Sequence, residues 1–280
     1  MRSVAITGAS TGIGRATALR LDRAGWRVFA GVRREQDAAA LREESRGNLI
    51  ALRLDITDQV AIKEAGEQIR SVVGDAGLDG LVNNAGTAVF SPVETIPMEQ
   101  LRAQLEVNLI GQVAVTKTLL PLIRSATGRI VFVGSLGGRM SYPFGGAYHA
   151  SKYGLEAIAD CLRQELRPWK IPVSMVEPGS VDTPIWDRGR ELADQMSSEL
   201  TDEQVSFYAA TMDRSWRWGD KLHAIANPPG KVAHAIERAL HDRWPRNRYQ
   251  VGIDARAQAL VHRFVPQRTF DWLVGKSLGM

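Results

Sequence analysis

Ser3-Val4-Ala5-Ile6-Thr7-Gly8-Ala9-Ser10-Thr11-Gly12-Ile13-Gly14 runs from a short apolar segment straight into three glycines. Ser3 to Thr7 reads as a buried strand, and a helix-patterned stretch follows through Ala24. Strand, glycine-rich turn and helix start together make a cradle for a pyrophosphate. Glycine lets the backbone come close, and the helix N–H groups face the anion. The spacing here is Gly-x-x-x-Gly-x-Gly rather than the commoner Gly-x-Gly-x-x-Gly. The plain alternative is a tight turn that needs glycine for its backbone angles alone.

Strand and helix signals continue to alternate outward from this point. Trp26 to Val32 reads as a second strand and ends in Arg33-Arg34, with no acid before Glu35. An acid there would bind a ribose 2′-hydroxyl, whereas arginine accommodates a 2′-phosphate. The pair therefore favours NADP(H), with NAD(H) as the alternative and a solvated charged turn as the plain reading. Leu49 to Leu54 is a third strand, closed by Asp55, with Thr57 or Asp58 placed to cap the next helix. Gly80 to Val82 is a fourth, meeting Asn83-Asn84-Ala85-Gly86. A long helical segment spans residues 98–125, and Asn108 inside it is unusual because its amide competes for backbone bonds. Arg129 to Gly134 is a fifth strand, with Ser135 at its end. The pattern implies an α/β, doubly wound, Rossmann-type parallel sheet in one domain over residues 1–280. In such sheets ligands bind outside the carboxyl ends of the strands, so Gly8, Asp55, Asn83, Ser135 and Pro178 should converge on one edge.

Composition narrows the function classes. A net charge of +4 is spread over 35 basic and 31 acidic residues without a long basic run, which argues against a nucleic-acid partner. The single Cys161 excludes an internal disulfide, fits a reducing compartment and is expected to be a small packed side chain. His149, His223, His234, His241 and His262 show no metal-site spacing, so no metal is expected. No apolar run reaches membrane-spanning length, and no signal-like segment precedes the first strand. The expectation is a soluble, cytoplasmic protein without an integral membrane segment.

Tyr148-His149-Ala150-Ser151-Lys152 carries the chemistry. On a helix, Tyr148 and Lys152 share one face, and an ammonium near a phenol favours the phenolate. Alone, the spacing is also that of an ordinary helix-surface pair. The full set is more specific: Thr7-Gly8-Ala9-Ser10-x-Gly12-Ile13-Gly14, Asn83-Asn84-Ala85-Gly86, Asn108, Ser135, Tyr148-x-x-x-Lys152 and Pro178-Gly179, in that order. In this set the chain resembles the short-chain dehydrogenase/reductase family, single-domain type, over residues 3 to about 184. Gly134-Ser135-Leu136-Gly137-Gly138-Arg139, Glu177-Pro178-Gly179 and the stretch from Tyr249 to Arg256 resemble its retinol and 17β-hydroxysteroid dehydrogenase branch. Membrane-anchored relatives carry an N-terminal hydrophobic segment that this sequence does not show.

The resemblance implies an oxidoreductase moving hydride between NADP(H) and a carbonyl or secondary alcohol. Tyr148 would be the acid/base, and Ser135 would orient the substrate oxygen. Lys152 would lower the Tyr148 pKa and hold the nicotinamide ribose, while Asn108 would keep a water in the proton relay through a local helix irregularity. The cofactor would be held by Gly8, Ser10, Thr11, Gly12, Ile13 and Gly14, by Arg33 and Arg34, and by Asp55 at the adenine. Asn83 through Gly86 (Asn84, Ala85 and Gly86 in direct contact) would line the adenosine side. Pro178, Gly179, Val181 and Thr183 would hold the carboxamide. Relatives pair through the helices of residues 98–125 and 147–168, implying a homodimer or homotetramer. The stripe Leu155, Ile158, Ala159, Leu162 and Leu166 is the apolar face available for it.

Residues 185–230 interleave Trp186, Met196, Phe207, Tyr208, Met212, Trp216 and Trp218 with charges, before a helix over residues 231–243. Core packing is the plain reading. Their place after the carboxamide loop suggests instead a helical lid over a bulky lipophilic substrate: steroid-, retinoid- or lipid-like. The amphipathic tail of residues 255–280, with Phe264, Phe270, Trp272 and Leu273, is expected on the sheet edge or a partner subunit. A catalytically silent NADP(H)-binding regulator is the second reading, since folds of this kind can be reused for sensing. A sugar-nucleotide epimerase or dehydratase is the third, disfavoured by glycine spacing and length.

Overall fold

A computed structural model describes residues 1–255 and 264–279. Seven parallel strands form one sheet in the order β3-β2-β1-β4-β5-β6-β7. They are β1 (Ser3–Ile6), β2 (Arg27–Val32), β3 (Leu49–Arg53), β4 (Gly80–Asn83), β5 (Arg129–Val133), β6 (Val173–Pro178) and β7 (Arg248–Val251). The first five match the sequence expectation to within a residue at either end. Each is a near-continuous apolar run, as strands covered on both faces must be. In β1, Val4 and Ile6 turn to one core and Ala5 to the other.

Helices α1 (Gly12–Arg23), α2 (Glu35–Glu44) and α9 (Pro229–His241) cover the first face. The second is covered by α3 (Gln59–Val73), α5 (Gly111–Ala126) and α6 (Gly146–Glu165). Asp58 caps α3, accepting from the Val60 N–H at 2.8 Å and the Ala61 N–H at 3.3 Å. The expected long helix is α4 (Met98–Leu105) and α5 joined through a π-turn, Glu106–Ile110, and Asn108 lies in that turn. This is the helix irregularity anticipated at Asn108.

The lid region is two helices, α7 (Ile185–Ser197) and α8 (Asp202–His223). A reciprocal Thr201/Gln204 capping box starts α8. Helix α10 (Gln267–Leu278) lies against α8, and Phe270 is buried with Leu136, Met140 and Tyr142. Helix α10 therefore covers the loop after β5, where its buried aromatic finds apolar partners. Residues 256–263 and 280, including Arg256 and His262, lie outside the described residues.

Most of the α6 stripe is taken up by the sheet. Leu155, Ala159 and Leu166 are buried in the second core, while Ile158 is 37% exposed. Cys161 is exposed on the outer side of α6, where a packed side chain was expected. It falls between the sheet-facing positions of the helix. Leu155→Ala should therefore cost about 2–5 kcal/mol of unfolding free energy in urea. Ile158→Ala should cost under about 1 kcal/mol. Equal costs would mean that the stripe is divided differently between sheet and outer face.

Candidate active site

The carboxyl ends of β1, β2, β3, β4, β5 and β6 open on a cavity of about 610 Å3, closed on the far side by α7 and α8. The sheet order reverses between β1 and β4, where a crevice is expected. At its floor Gly8 and Gly12 adopt φ of +64° and +53°. A Cβ on Gly8 would lie 2.8 Å from the Ala85 Cα, and one on Gly14 would lie 2.1 Å from the Gly8 carbonyl oxygen. Only glycine fits this turn, which brings the N-terminus of α1 to the cavity.

Of the residues expected at a cofactor, Gly8, Ser10, Thr11, Gly12, Ile13, Arg33, Asp55, Asn84, Ala85 and Gly86 line the cavity. So do Pro178, Gly179, Val181 and Thr183. Gly14 and Arg34 do not. Gly14 is a packing position, and Arg34 pairs with Asp37 at 3.0 Å on the first turn of α2. Asn83 is fully buried and donates to Thr116 Oγ1 at 2.8 Å, so it too is absent from the wall. Arg33 remains at the wall near Asp55. Burial alone would raise the Asp55 carboxyl, but bonds from the Thr57 N–H and hydroxyl, with the Arg33 charge, hold it below its ordinary value.

Ser135, Tyr148 and Lys152 meet at the same cavity. Ser135 ends β5 and accepts from the Gly137 N–H at 3.0 Å, which fixes its side chain. Its hydroxyl faces the same cavity as the Tyr148 phenol, and its proximity draws the phenol pKa down. Lys152, one turn further along α6, donates to the Val133 carbonyl at 3.0 Å, with its Nζ 5.9 Å from the Tyr148 ring centre. The sequence suggests a lysine that draws the phenol pKa down. In the structure burial pushes the Tyr148 phenol up, opposed only by the nearby Ser135 side chain. Burial also lowers Lys152 to about 8, against the charge of Glu156. Enclosure outweighs the pair because the ammonium is bonded to a backbone carbonyl rather than to the phenol oxygen.

Asn108 does not line the cavity. Its Oδ1 accepts from the Thr87 N–H at 2.8 Å, and its Nδ2 donates to the Thr87 carbonyl and to Ser151 Oγ, each at 3.0 Å. Ser151 Oγ in turn donates to the Tyr148 carbonyl at 2.7 Å. The amide thus braces the loop after β4 against the turn of α6 that bears Tyr148.

Three features of the wall were not read from the sequence. Phe90 stacks on Trp186 at 6.3 Å, meets Trp216 edge-on at 5.6 Å and stands 6.2 Å from the Tyr148 ring. Its place four residues after Gly86 was the available signal. Asp254 accepts from the Ser180 N–H at 2.7 Å and so pins the Pro178-Gly179 turn. His149 Nε2 accepts from the Tyr142 N–H at 3.1 Å, which puts the ring proton on Nδ1, 2.9 Å from the Gly137 carbonyl. His149 therefore ties the Ser135 turn to the loop before α6. Of the lid residues, Trp186, Met212, Trp216 and Trp218 line the cavity. Met196 is buried beside Val89 and Ala147, and Phe207 is 60% exposed. Tyr208 bonds to Glu94. Among the described residues no cluster of His, Cys, Asp or Glu could hold a metal ion, and no helix is long and apolar enough to cross a membrane.

Burial lowers the His149 pKa, against the Gly137 carbonyl. A histidine depressed in the folded state contributes fully above about 6.5 and loses its contribution as pH falls from there toward the folded value. The wild type should therefore lose more stability between about pH 7.5 and about pH 5.5 than His149→Gln does in urea denaturation. Equal losses would exclude a neutral, bridging His149.

The pattern of the "short chain dehydrogenase" family matches residues 2–195. The chain is 38% identical over 281 residues to 17-beta-hydroxysteroid dehydrogenase type 6 of Bos taurus, covering 98% of this chain and 88% of that one. It is 36% identical to retinol dehydrogenase 16 of Homo sapiens, covering 96% and 86%. It is 33% identical to the NADPH-dependent 3-dehydrocapnine reductase of Ornithobacterium rhinotracheale, covering 99% and 98%.

Proposed function

The chain belongs to the short-chain dehydrogenase family, near its retinol and 17β-hydroxysteroid dehydrogenase branch, and is an NAD(P)-dependent oxidoreductase; we propose that it uses NADP(H) on a bulky lipophilic ketone or secondary alcohol, with Tyr148 as acid/base. The observation that carries this reading is that Ser135, Tyr148 and, one helical turn after Tyr148, Lys152 converge on the wall of the cavity floored by the glycine turn.

The residues present suit a dinucleotide. The Gly8–Gly14 turn would take the pyrophosphate at the start of α1, and Asp55 would meet the adenine. Arg33, turned to the cavity, would meet a 2′-phosphate with a charge-assisted bond. The NADPH dependence in the name of the Ornithobacterium relative agrees with that choice. Lys152 would reach the nicotinamide ribose, and Val181 and Thr183 the carboxamide. When bound, the nicotinamide supplies or accepts the hydride.

The chain's own part is orientation and proton transfer. A substrate carbonyl oxygen placed between Ser135 and Tyr148 would accept both hydroxyl hydrogen bonds. Burial keeps the Tyr148 phenol protonated at neutral pH, so the ground state holds the proton that reduction requires. As that proton moves to the substrate oxygen, the Lys152 ammonium stabilises the phenolate left behind. Phe90, Trp186, Met212, Trp216 and Trp218 offer a wall that excludes water and favours a steroid-, retinoid- or lipid-like group. The whole chain would act as one domain, with α7 and α8 as its lid. Exposed Ile110, Tyr153 and Ile158 on the helices named above leave apolar surface for a homodimer or homotetramer.

Tyr148→Phe should lower kcat by about a hundredfold or more while NADPH affinity stays within about threefold, because it removes a transferable proton and little volume. Wild-type turnover in that variant would rule out the acid/base assignment. Arg33→Ala should weaken NADPH by about tenfold and leave NADH nearly unchanged. Equal losses would return Arg33 to a solvated turn. Tight NADPH binding without turnover on any steroid, retinoid or long-chain ketone would indicate a regulator instead.

A further inference from the structure

A second group of ionisable side chains lies behind the Ser135 turn, away from the substrate. Glu177, fully buried, stands directly before Pro178, and Glu156, 8% exposed, is one turn beyond Lys152 on α6. Arg139, just past the Ser135 turn, donates from Nε to Glu177 Oε1 at 3.0 Å. Arg248 on β7 reaches Glu177 Oε1 at 3.1 Å, Glu156 Oε2 at 2.9 Å and Asp160 Oδ2 at 2.6 Å. Two guanidinium groups thus face three carboxylates, and Glu156 Oε1 and Glu177 Oε2 are buried without a hydrogen-bond partner.

The placement of Glu156 is specific. A Cβ on Gly134 would lie 3.3 Å from Glu156 Oε1, and one on Gly138 would lie 3.1 Å from its Cγ and 3.0 Å from the Lys152 carbonyl oxygen. Two glycines of the Ser135 turn let this carboxylate sit under it. Arg248 takes Glu156 Oε2, and the Lys152 ammonium donates at 3.0 Å to the carbonyl of Val133, the residue before Gly134. Oε1 is directed to the turn, with the buried Lys152 one helical turn away.

We propose that Glu156 is a positioning residue that acts through Lys152: from beneath the Ser135 turn, its negative charge holds the Lys152 ammonium in its protonated form. This inference rests on the Tyr148–Lys152 reading of the site. The groups facing Glu156 are Lys152 and Asp160 on its own helix, Arg139 after β5, Glu177 on β6 and Arg248 on β7. Burial and Glu177 raise its carboxyl to about 7, against Arg248 and Arg139. A carboxyl raised in the folded state contributes stability below its ordinary value and loses it as pH rises through about 7. Glu156 is therefore ionised at a cost to stability in the range where Lys152, at about 8, would begin to lose its proton.

The test is the Lys152 Nζ titration by 15N NMR of the protein without cofactor, with the resonance identified by its loss in Lys152→Met. The wild-type midpoint is expected at about 8. Glu156→Gln should lower it by about one pH unit, since a neighbouring charge is removed, and Glu156→Asp should restore it in large part. The alkaline limb of kcat/KM should move with the NMR midpoint. An unmoved Lys152 midpoint in Glu156→Gln would overturn the proposal. Because that readout needs no turnover, a failure of the enzymatic reading would appear separately, as absent activity with the shift intact.

Discussion

The close contact between the turns after β1 and β4 is the constraint on which the rest of the site depends. Gly8 packs on Ala85 at a distance that no side chain tolerates. Thr7 Oγ1 accepts from the N–H groups of Asn84 and Ala85 at 2.9 and 3.0 Å. Asn84 Nδ2 returns bonds to the carbonyls of Thr7 and Gly8 at 3.0 and 3.1 Å. These bonds satisfy backbone groups at the point where the sheet order reverses, and they set the width of the crevice. The same loop continues to Thr87, whose backbone is held by Asn108, and Asn108 holds Ser151 beside Tyr148. Hydrogen bonds and the short loop between them therefore join the glycine turn to the Tyr148 backbone.

Opposed effects within the site are decided mainly by enclosure. Around Tyr148 and Lys152 the wall is aromatic and neighbours do not offset the loss of water, whereas at Asp55 the Thr57 bonds and the Arg33 charge do. Tyr142 is pushed up to about 12, chiefly by burial. Tyr148 follows it upward in spite of Ser135. Lys152 goes down to about 8 although Glu156 opposes the change. The result is a neutral phenol beside an ammonium that is only narrowly kept. That arrangement suits a proton donor, and it makes the charge on Lys152 sensitive to what lies behind it.

Much of this was legible in the sequence, and the parts that were not have physical reasons. Strands β1, β2, β4 and β5 could be read because burial on both faces gives apolar runs, and β3 because Leu49 to Leu54 is apolar but for Arg53 and is closed by Asp55. Strand β6 was legible only through Pro178, and the four-residue β7, Arg248–Val251, carries too little pattern to stand out. Spacing placed Ser135, Tyr148 and Lys152 together, but not the rise that enclosure imposes on the phenol, because burial is not visible along a chain. Arg33 and Arg34 were both expected at the cofactor, with Arg33 resembling the arginine of NADP-preferring relatives. The first turn of α2 separates them by placing Asp37 within reach of only the second. Likewise Asn83 and Asn84 are adjacent, but strand alternation sends one into the core and leaves the other at the crevice.

The central claim is that the Tyr148 proton and a nicotinamide hydride meet at one substrate carbon and oxygen in this cavity. NADPH carrying deuterium at the transferable C4 position, incubated with a bulky lipophilic ketone, tests it directly by mass spectrometry of the product. The account predicts an alcohol with deuterium on the carbinol carbon from the wild type, and almost none from Tyr148→Phe although that variant still binds NADPH. NADPH bound tightly by the wild type, with no deuterium delivered to any ketone of that class, would contradict it.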